Sequence, residues 1–201
     1  MNPTPADDLD AFARALIGSR CSVSPKRLHP PGPSAEQLRA MVEAAATAPD
    51  HRALRPFRLL RFAPSEREAL GTLFDAALVE RDPAAAAAER AAARAKALRA
   101  PELLLAVVRL APAHDDVVEH ERFVTLGAAL MALLLSAHAM GFAGMLTSGR
   151  ALRSATFARA LGLQSDERPV CFVSLGTPGE LRRPARPQAS QLLSDWTPPD
   201  A

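Results

Sequence analysis

Apolar residues recur at helical spacing from the start of the chain. Leu9, Phe12, Ala13, Leu16 and Ile17 share one face of a 3.6-residue period. The pattern predicts a helix capped by Asp7 or Asp8 and stopped by Gly18. Residues 19–33 are polar and turn-rich, ending in Pro30-Pro31-Gly32-Pro33. Ser34 and Gln37 have the spacing of a capping box, ahead of Leu38, Met41, Val42 and Ala45. A second helix is expected there, ending near Ala48 because Pro49 follows. Phe57 to Phe62 is short and apolar, a strand candidate. Ser65 with Glu68 repeats the capping spacing and predicts a helix through about Glu80. Pro83 can start another, through Ala-rich sequence to Arg99.

Leu103 to Leu110 is an apolar run of strand length, interrupted only by Arg109. The most apolar stretch, Val124 to Met140, carries Thr125, Ser136 and His138. A bilayer span needs about 20 mostly apolar residues. This run falls slightly short, so a buried helix ending at Gly141 and no membrane partner are expected, with a membrane span as the minor alternative. Phe142 to Leu146 reads as a short strand, and Ser154 to Leu161 as a short helix stopped by Gly162. Val170 to Leu175 is the last strand, closed by Gly176-Thr177-Pro178. Several helices around a few short strands predict an α+β arrangement, a mixed sheet covered by helices. One domain is expected over residues 1–201, with an extended or partner-wrapping tail from about residue 180.

Charge and cysteine content narrow the function. Lys plus Arg is 24 and Asp plus Glu is 22, a net charge of +2. That balance does not make nucleic acid a default partner. Cys21 and Cys171 are neither a disulfide framework nor a four-ligand zinc site. The acidic, Pro-rich N-terminus lacks the basic and apolar regions of a signal peptide, so a cytoplasmic location is expected. The sequence contains no Gly-x-Gly-x-x-Gly fingerprint, no Walker A loop and no Gly-x-Ser-x-Gly elbow. Any nucleotide must be held another way. His114, Asp115, Asp116, Glu119, His120 and Glu121 include metal-ligand types, and Asp116 and His120 share a helix face. No second His follows His120 at the metalloprotease spacing. These residues read better as acids complementing the N-terminus of the long helix.

Three segments carry candidate chemistry. In Arg20-Cys21-Ser22, a guanidinium fork and a hydroxyl two residues apart can grip a phosphate. Cys21 between them reads as a small filler. In Ala48-Pro49-Asp50-His51-Arg52, a helix broken by Pro presents polar groups to a loop, where Asp50 and His51 can orient a ligand. In the run from Gly141 to Gly149, small residues allow close backbone approach, and the N–H groups of Thr147 to Gly149 can donate.

In this order, from about Leu16 to Gly176, these segments resemble the nitroreductase family of flavoproteins, most closely its small bacterial NAD(P)H nitroreductases. The carrying motifs are Ala48-Pro49-Asp50-His51 with Pro56-Phe57, Gly141-Phe142-x-Gly144 with Ser148-Gly149, and Leu175-Gly176-Thr177-Pro178. The resemblance implies a helix-covered mixed or antiparallel sheet and an interlocked homodimer. Its core would hold the helix around Leu126 to Met140, with non-covalent FMN at the subunit interface. By position, Arg20 and Ser22 would hold the FMN phosphate, with the Cys21 backbone between them. His51 would approach from the partner subunit, and Leu146, Thr147 and Ser148 would line the isoalloxazine ring. Thr47 stands at a cofactor position where such relatives often carry Arg. Leu146-Thr147 replaces a frequent Trp-Arg, and Phe57 a frequent Trp. The implied reaction is ping-pong: NADH or NADPH gives hydride to the flavin, and electrons then pass to a small-molecule acceptor such as a nitroaromatic, quinone or activated alkene. The cofactor carries that chemistry, so no side chain is needed as a general acid. Arg182, Arg183 and Arg186 are read as a solvated, Pro-interrupted tail rather than as further phosphate contacts. Two other readings remain open here: a flavin-handling protein with little turnover, and a helical interaction module without cofactor.

Overall fold

The structure, a computed structural model, describes residues 6–110, 117–181 and 185–198. Helix α1 (Ala6–Ser19) contains Asp7 and Asp8 within its span rather than using them as caps. Acidic residues suit a first turn as well as a cap position, so composition alone does not separate the two. Helix α2 (Ala35–Ala45) begins as expected. The Gln37 N–H donates to Ser34 Oγ at 3.2 Å, and the Ser34 N–H donates to Gln37 Oε1 at 2.9 Å. Leu38, Met41 and Ala45 are buried, whereas Val42 is exposed.

The central sheet has five strands: β1 (Leu28–His29), β2 (Phe57–Arg61), β3 (Glu102–Arg109), β4 (Ala143–Thr147) and β5 (Glu167–Pro178). Their order is β1-β5-β3-β2, with β4 also paired to β5. Every ladder between these strands is antiparallel, which decides between the mixed and antiparallel sheets expected from the sequence. Strand order depends on contacts between distant segments, which a linear pattern does not carry. β1 is too short to leave a periodic signal. β5 continues through Gly176 instead of closing at Leu175. A Cβ on Gly176 would sit 2.8 Å from Pro101 Cδ, so glycine is there for space within the strand, not for a turn.

Side-chain alternation on β3 supplies both layers of the core. Leu104, Ala106 and Val108 face α2 and the long helix α5 (Glu119–Ala139). Leu103, Leu105 and Val107 face α3 (Arg67–Arg81), α4 (Ala87–Arg94) and α6 (Ala155–Ala160). Phe74 stacks on Phe157 with ring centroids 5.5 Å apart and meets Phe172 edge-on at 5.4 Å.

Two helix starts differ from expectation. A 3₁₀ turn (Pro64–Glu66) precedes α3, and the Ala63 N–H donates to Glu66 Oε2 at 2.9 Å. The reciprocal bond therefore forms two residues earlier, on the Ala63 N–H, and not within the Ser65–Glu68 pair. Pro83 lies in a turn, α4 begins at Ala87, and the chain tightens into a 3₁₀ turn at Ala95–Leu98. Two overlapping acid spacings compete at the first start, and alanine signals no boundary at the second.

Buried carboxylates pin this helical layer and the sheet edge. Asp75 is 3% exposed and accepts forked bonds from Arg90 and Arg94, including 2.8 Å and 2.6 Å contacts. Glu167 accepts a bidentate pair from Arg58 at 2.7 and 2.8 Å. Hydrogen bonds from these arginines hold each carboxyl at a pKa of about 2. Their stabilisation is fully present above the ordinary values of 3.8 and 4.5 and is lost as pH falls toward about 2. Thermal unfolding followed from pH 6 to pH 2 should show Tm falling across that lower window. Asp75→Asn should lower Tm at neutral pH and flatten the acid slope; an unchanged slope would refute the assignment.

Candidate functional site

Residues 20–24 run beside β4. The Val23 N–H donates to the Gly144 carbonyl at 3.2 Å, and Ser22 forms a parallel bridge with Gly144. Extended backbone alternates its side chains. Cys21 and Val23 accordingly enter a small core with Leu28, Ala100 and Ala143. Arg20, Ser22 and Ser24 are left on the less buried side. Arg20 Nε is buried without a hydrogen-bond partner among the described residues. Such a donor is costly unless an acceptor meets it. From the tail, Arg186 donates to the Arg20 carbonyl. Arg186, although exposed, thus reaches the backbone at the predicted phosphate position, while Arg182 and Arg183 lie outside the described residues.

Gly144 makes this arrangement possible. A Cβ there would lie 2.7 Å from both the Ser174 carbonyl oxygen and Leu175 Cδ2, and 3.1 Å from Leu134 Cδ2. Beyond it, Met145, Thr147 and Ser148 border a cavity of about 670 Å³, with Ser24 on another wall and Phe74 and Phe172 among its apolar lining. That volume is typical of a small-molecule site, roughly 300–1,000 Å³. Four cations stand around it: Arg81, Lys96, Arg99 and Arg150. None has an ion-pair partner among the described residues. Burial, then Arg99, Arg81 and Arg150, push the Lys96 ammonium below its ordinary pKa. Sequence reasoning missed all four. They come from α3, the turn after α4 and the loop after β4, and form no local motif.

His51 lies elsewhere. Its Nδ1 is 2.7 Å from Glu121 Oε2, at the first turn of α5. The loop that carries it is strained: Arg52, Ala53 and Arg55 have φ of 59°, 53° and 50°. Each such residue costs about 1–3 kcal/mol. Asp50 Oδ2 holds the loop by accepting from the Arg55 N–H at 2.7 Å. At the opposite end of α5, Ser19 Oγ is 2.8 Å from His138 Nε2. At a rise of 1.5 Å per residue, Glu121 and His138 are about 25 Å apart. Within one chain, therefore, the Arg20 segment and His51 sit at opposite ends of α5.

The other predicted positions also separate. Thr147 and Ser148 border the cavity. Leu146, 37% exposed, points to the other side of β4 by alternation. Thr47 is exposed, and its hydroxyl donates to the Ala44 carbonyl at 2.8 Å, closing its own helix. No cluster of three His, Cys, Asp or Glu suited to a metal occurs among the described residues; His114, Asp115 and Asp116 lie outside them. Burial pushes the Cys171 thiol up to about 11, which leaves it protonated near neutrality.

Residues 17–177 match the family model described as Nitroreductase family. The chain belongs to the nitroreductase family. A relative from Haemophilus influenzae named "Putative NAD(P)H nitroreductase" is 33% identical over 156 residues, 77% of this chain and 83% of that protein. A nitroreductase-like family protein from Bacillus cereus has the same fold, with TM-score 0.78 at 18% identity over 96% of this chain and 97% of that one. A variant of NfnB, an FMN and NADPH-dependent nitroreductase from a sphigopyxis strain, superposes with TM-score 0.72 at 18% identity, covering 92% and 98%. In this nitroreductase-family chain, Gly144→Ala should force β4 away from β5 or Leu134. A stability loss of about 1–3 kcal/mol is expected in denaturant unfolding. A loss under 0.5 kcal/mol would show that the close approach is not required.

Proposed function

We propose that this chain is an FMN-dependent NAD(P)H oxidoreductase that acts as a homodimer on small electron acceptors. The observation that carries the reading is the buried, unpartnered Nε of Arg20, beside the exposed hydroxyl of Ser22. Guanidinium and hydroxyl donors of that kind fit a phosphate monoester such as that of FMN. Arg20 and Ser22 would hold the phosphate, with the Cys21 backbone between them. Thr147 and Ser148 would border the flavin ring in the adjoining cavity. Lys96 would bring positive potential to that wall, and Phe74 and Phe172 would keep water from it. When bound, FMN supplies a hydride acceptor for NADH or NADPH and an electron donor for the second substrate.

The split of the site along α5 supports the homodimer. A two-fold partner with its own α5 running antiparallel would carry its His51 end to this chain's Arg20 end. The surface also favours it. Val124, Gly127 and Met131 form an exposed stripe on α5, although the helix buries its Leu126, Leu130 and Leu133 face. Leu9 and Phe12 of α1 are exposed, as are Leu192, Leu193 and Trp196 in the tail. Exposed large apolar side chains in this number suit an interface. α5 is long and apolar enough to cross a membrane. We take it instead as a dimer-core helix, in keeping with the cytoplasmic location expected from the sequence. A flavin-handling role with little turnover is the second reading. It is favoured by Thr47, whose hydroxyl is already engaged within its own helix.

Purified protein should carry FMN near one per subunit, read by absorbance and chromatography after heat release. Arg20→Ala should weaken FMN binding about 10- to 150-fold, the equivalent of a charge-assisted hydrogen bond worth about 1.5–3 kcal/mol. Unchanged affinity would remove the phosphate assignment. Co-refolding Arg20→Ala subunits with His51→Ala subunits should restore activity above either variant alone, because one of the two sites in a mixed dimer is intact. Absence of recovery in verified mixed dimers would show that the site is not shared.

A further inference from the structure

The four cations around the cavity have no ion-pair partner among the described residues. Lys96 and Arg99 flank the turn after α4, Arg81 ends α3, and Arg150 follows β4. Three separate elements thus aim positive charge at one opening. Among the described residues the cavity wall carries one acid, Glu89, against these four cations, and its Oε2 is turned to the Ala86 N–H at 3.1 Å. The cationic wall continues outward. A second cavity of about 430 Å³ is bordered again by Arg81 and Arg150, joined by Arg153. Its acid, Glu80, accepts the Ser154 hydroxyl. The predicted phosphate position at Arg20, by contrast, has its own donors and a separate tail arginine, Arg186.

Like charges gathered at an opening repel one another, and the Lys96 ammonium is lowered first by burial and then by that repulsion. In a protein whose net charge is only +2, such a concentration creates a local field that selects ligands by sign. We propose that Arg81, Arg99 and Arg150 select an acceptor carrying a carboxylate or sulfonate, and so set the substrate class of this site. Arginine forks match those groups bidentately and keep their charge at any physiological pH. The inference rests on the oxidoreductase reading. With a nitroarene, NAD(P)H gives a hydride and solvent a proton, so that the nitro group becomes nitroso, one water leaves and NAD(P)⁺ is formed.

The test compares 4-nitrobenzoate with 4-nitrobenzamide, a neutral molecule of nearly the same shape, using FMN-loaded protein. The kcat/KM ratio should favour the benzoate by about tenfold or more at low salt, as expected for a charge-assisted contact, and should fall as salt rises. In Arg99→Gln/Arg150→Gln the ratio should drop toward one, whereas Arg99→Lys should retain most of it. Equilibrium binding by calorimetry should show the same preference and the same loss. A ratio near one in the unmodified protein overturns the proposal. So does a double variant that loses FMN, or one that changes only the KM for NADPH, since the arginines would then serve the cofactor or the donor. If neither nitroarene is reduced, the oxidoreductase reading fails. Calorimetry then decides the anion preference by itself: tighter benzoate binding that the double variant loses supports it, and equal binding overturns it.

Discussion

Strands β3 and β5 bury both of their faces, and that burial removes water from their backbone groups. Buried N–H and C=O groups must then be paired by neighbouring strands. β5 meets the requirement by pairing with β1, β3 and β4, and β3 by pairing with β5 and β2. The sheet is thereby closed around its centre, and β4 is fixed along β5 from Ala143 to Thr147. Everything placed around the cavity inherits this register. Gly144 is drawn against the Ser174 carbonyl, the segment from Arg20 to Ser24 lies beside it, and Thr147 and Ser148 arrive at the opening. A one-residue slip would turn Thr147 to the other face.

Two kinds of charge surround this frame. At the sheet edges and on α3, each buried carboxylate is covered by arginines that remain partly in water: Glu102 by Arg61, Glu167 by Arg58, and Asp75 by Arg90 and Arg94. The acid gives up hydration and recovers it as forked hydrogen bonds, so these pairs stabilise helices and strands without asking for a ligand. Around the cavity the cations have no such partner among the described residues. That difference separates arginines that serve the fold from those available to bind.

α5 sets the scale of the site. One of its faces fills the core, while the stripe at Val124, Gly127 and Met131 remains uncovered. Its first turn anchors His51 through Glu121, and its last turn meets Ser19 through His138. A helix of this length holds the two halves of the candidate site too far apart for one small ligand to bridge. The uncovered stripe and the separation of Arg20 from His51 along α5 are the two observations on which the proposed homodimer rests.

The sequence determined most elements whose signal is local. Ser34 and Gln37 announced α2, Ser154 and Gly162 bounded α6, and the run from Leu103 to Leu110 marked a strand buried on both faces. It also determined the family, because the ordered motifs at Arg20, His51, Gly144 and Gly176 survive in linear form. It misplaced the starts of α3 and α4, where competing acids and featureless alanines gave no single boundary. Only the tertiary structure decided that the sheet is antiparallel, that Thr147 and Leu146 face opposite ways, and that Arg186 returns to Arg20. It alone gathered Arg81, Lys96, Arg99 and Arg150 around one opening. Capping, periodicity and turn chemistry act over a few residues and leave a trace in order. Convergence of charge from three distant elements is set by packing, which the order of residues does not display.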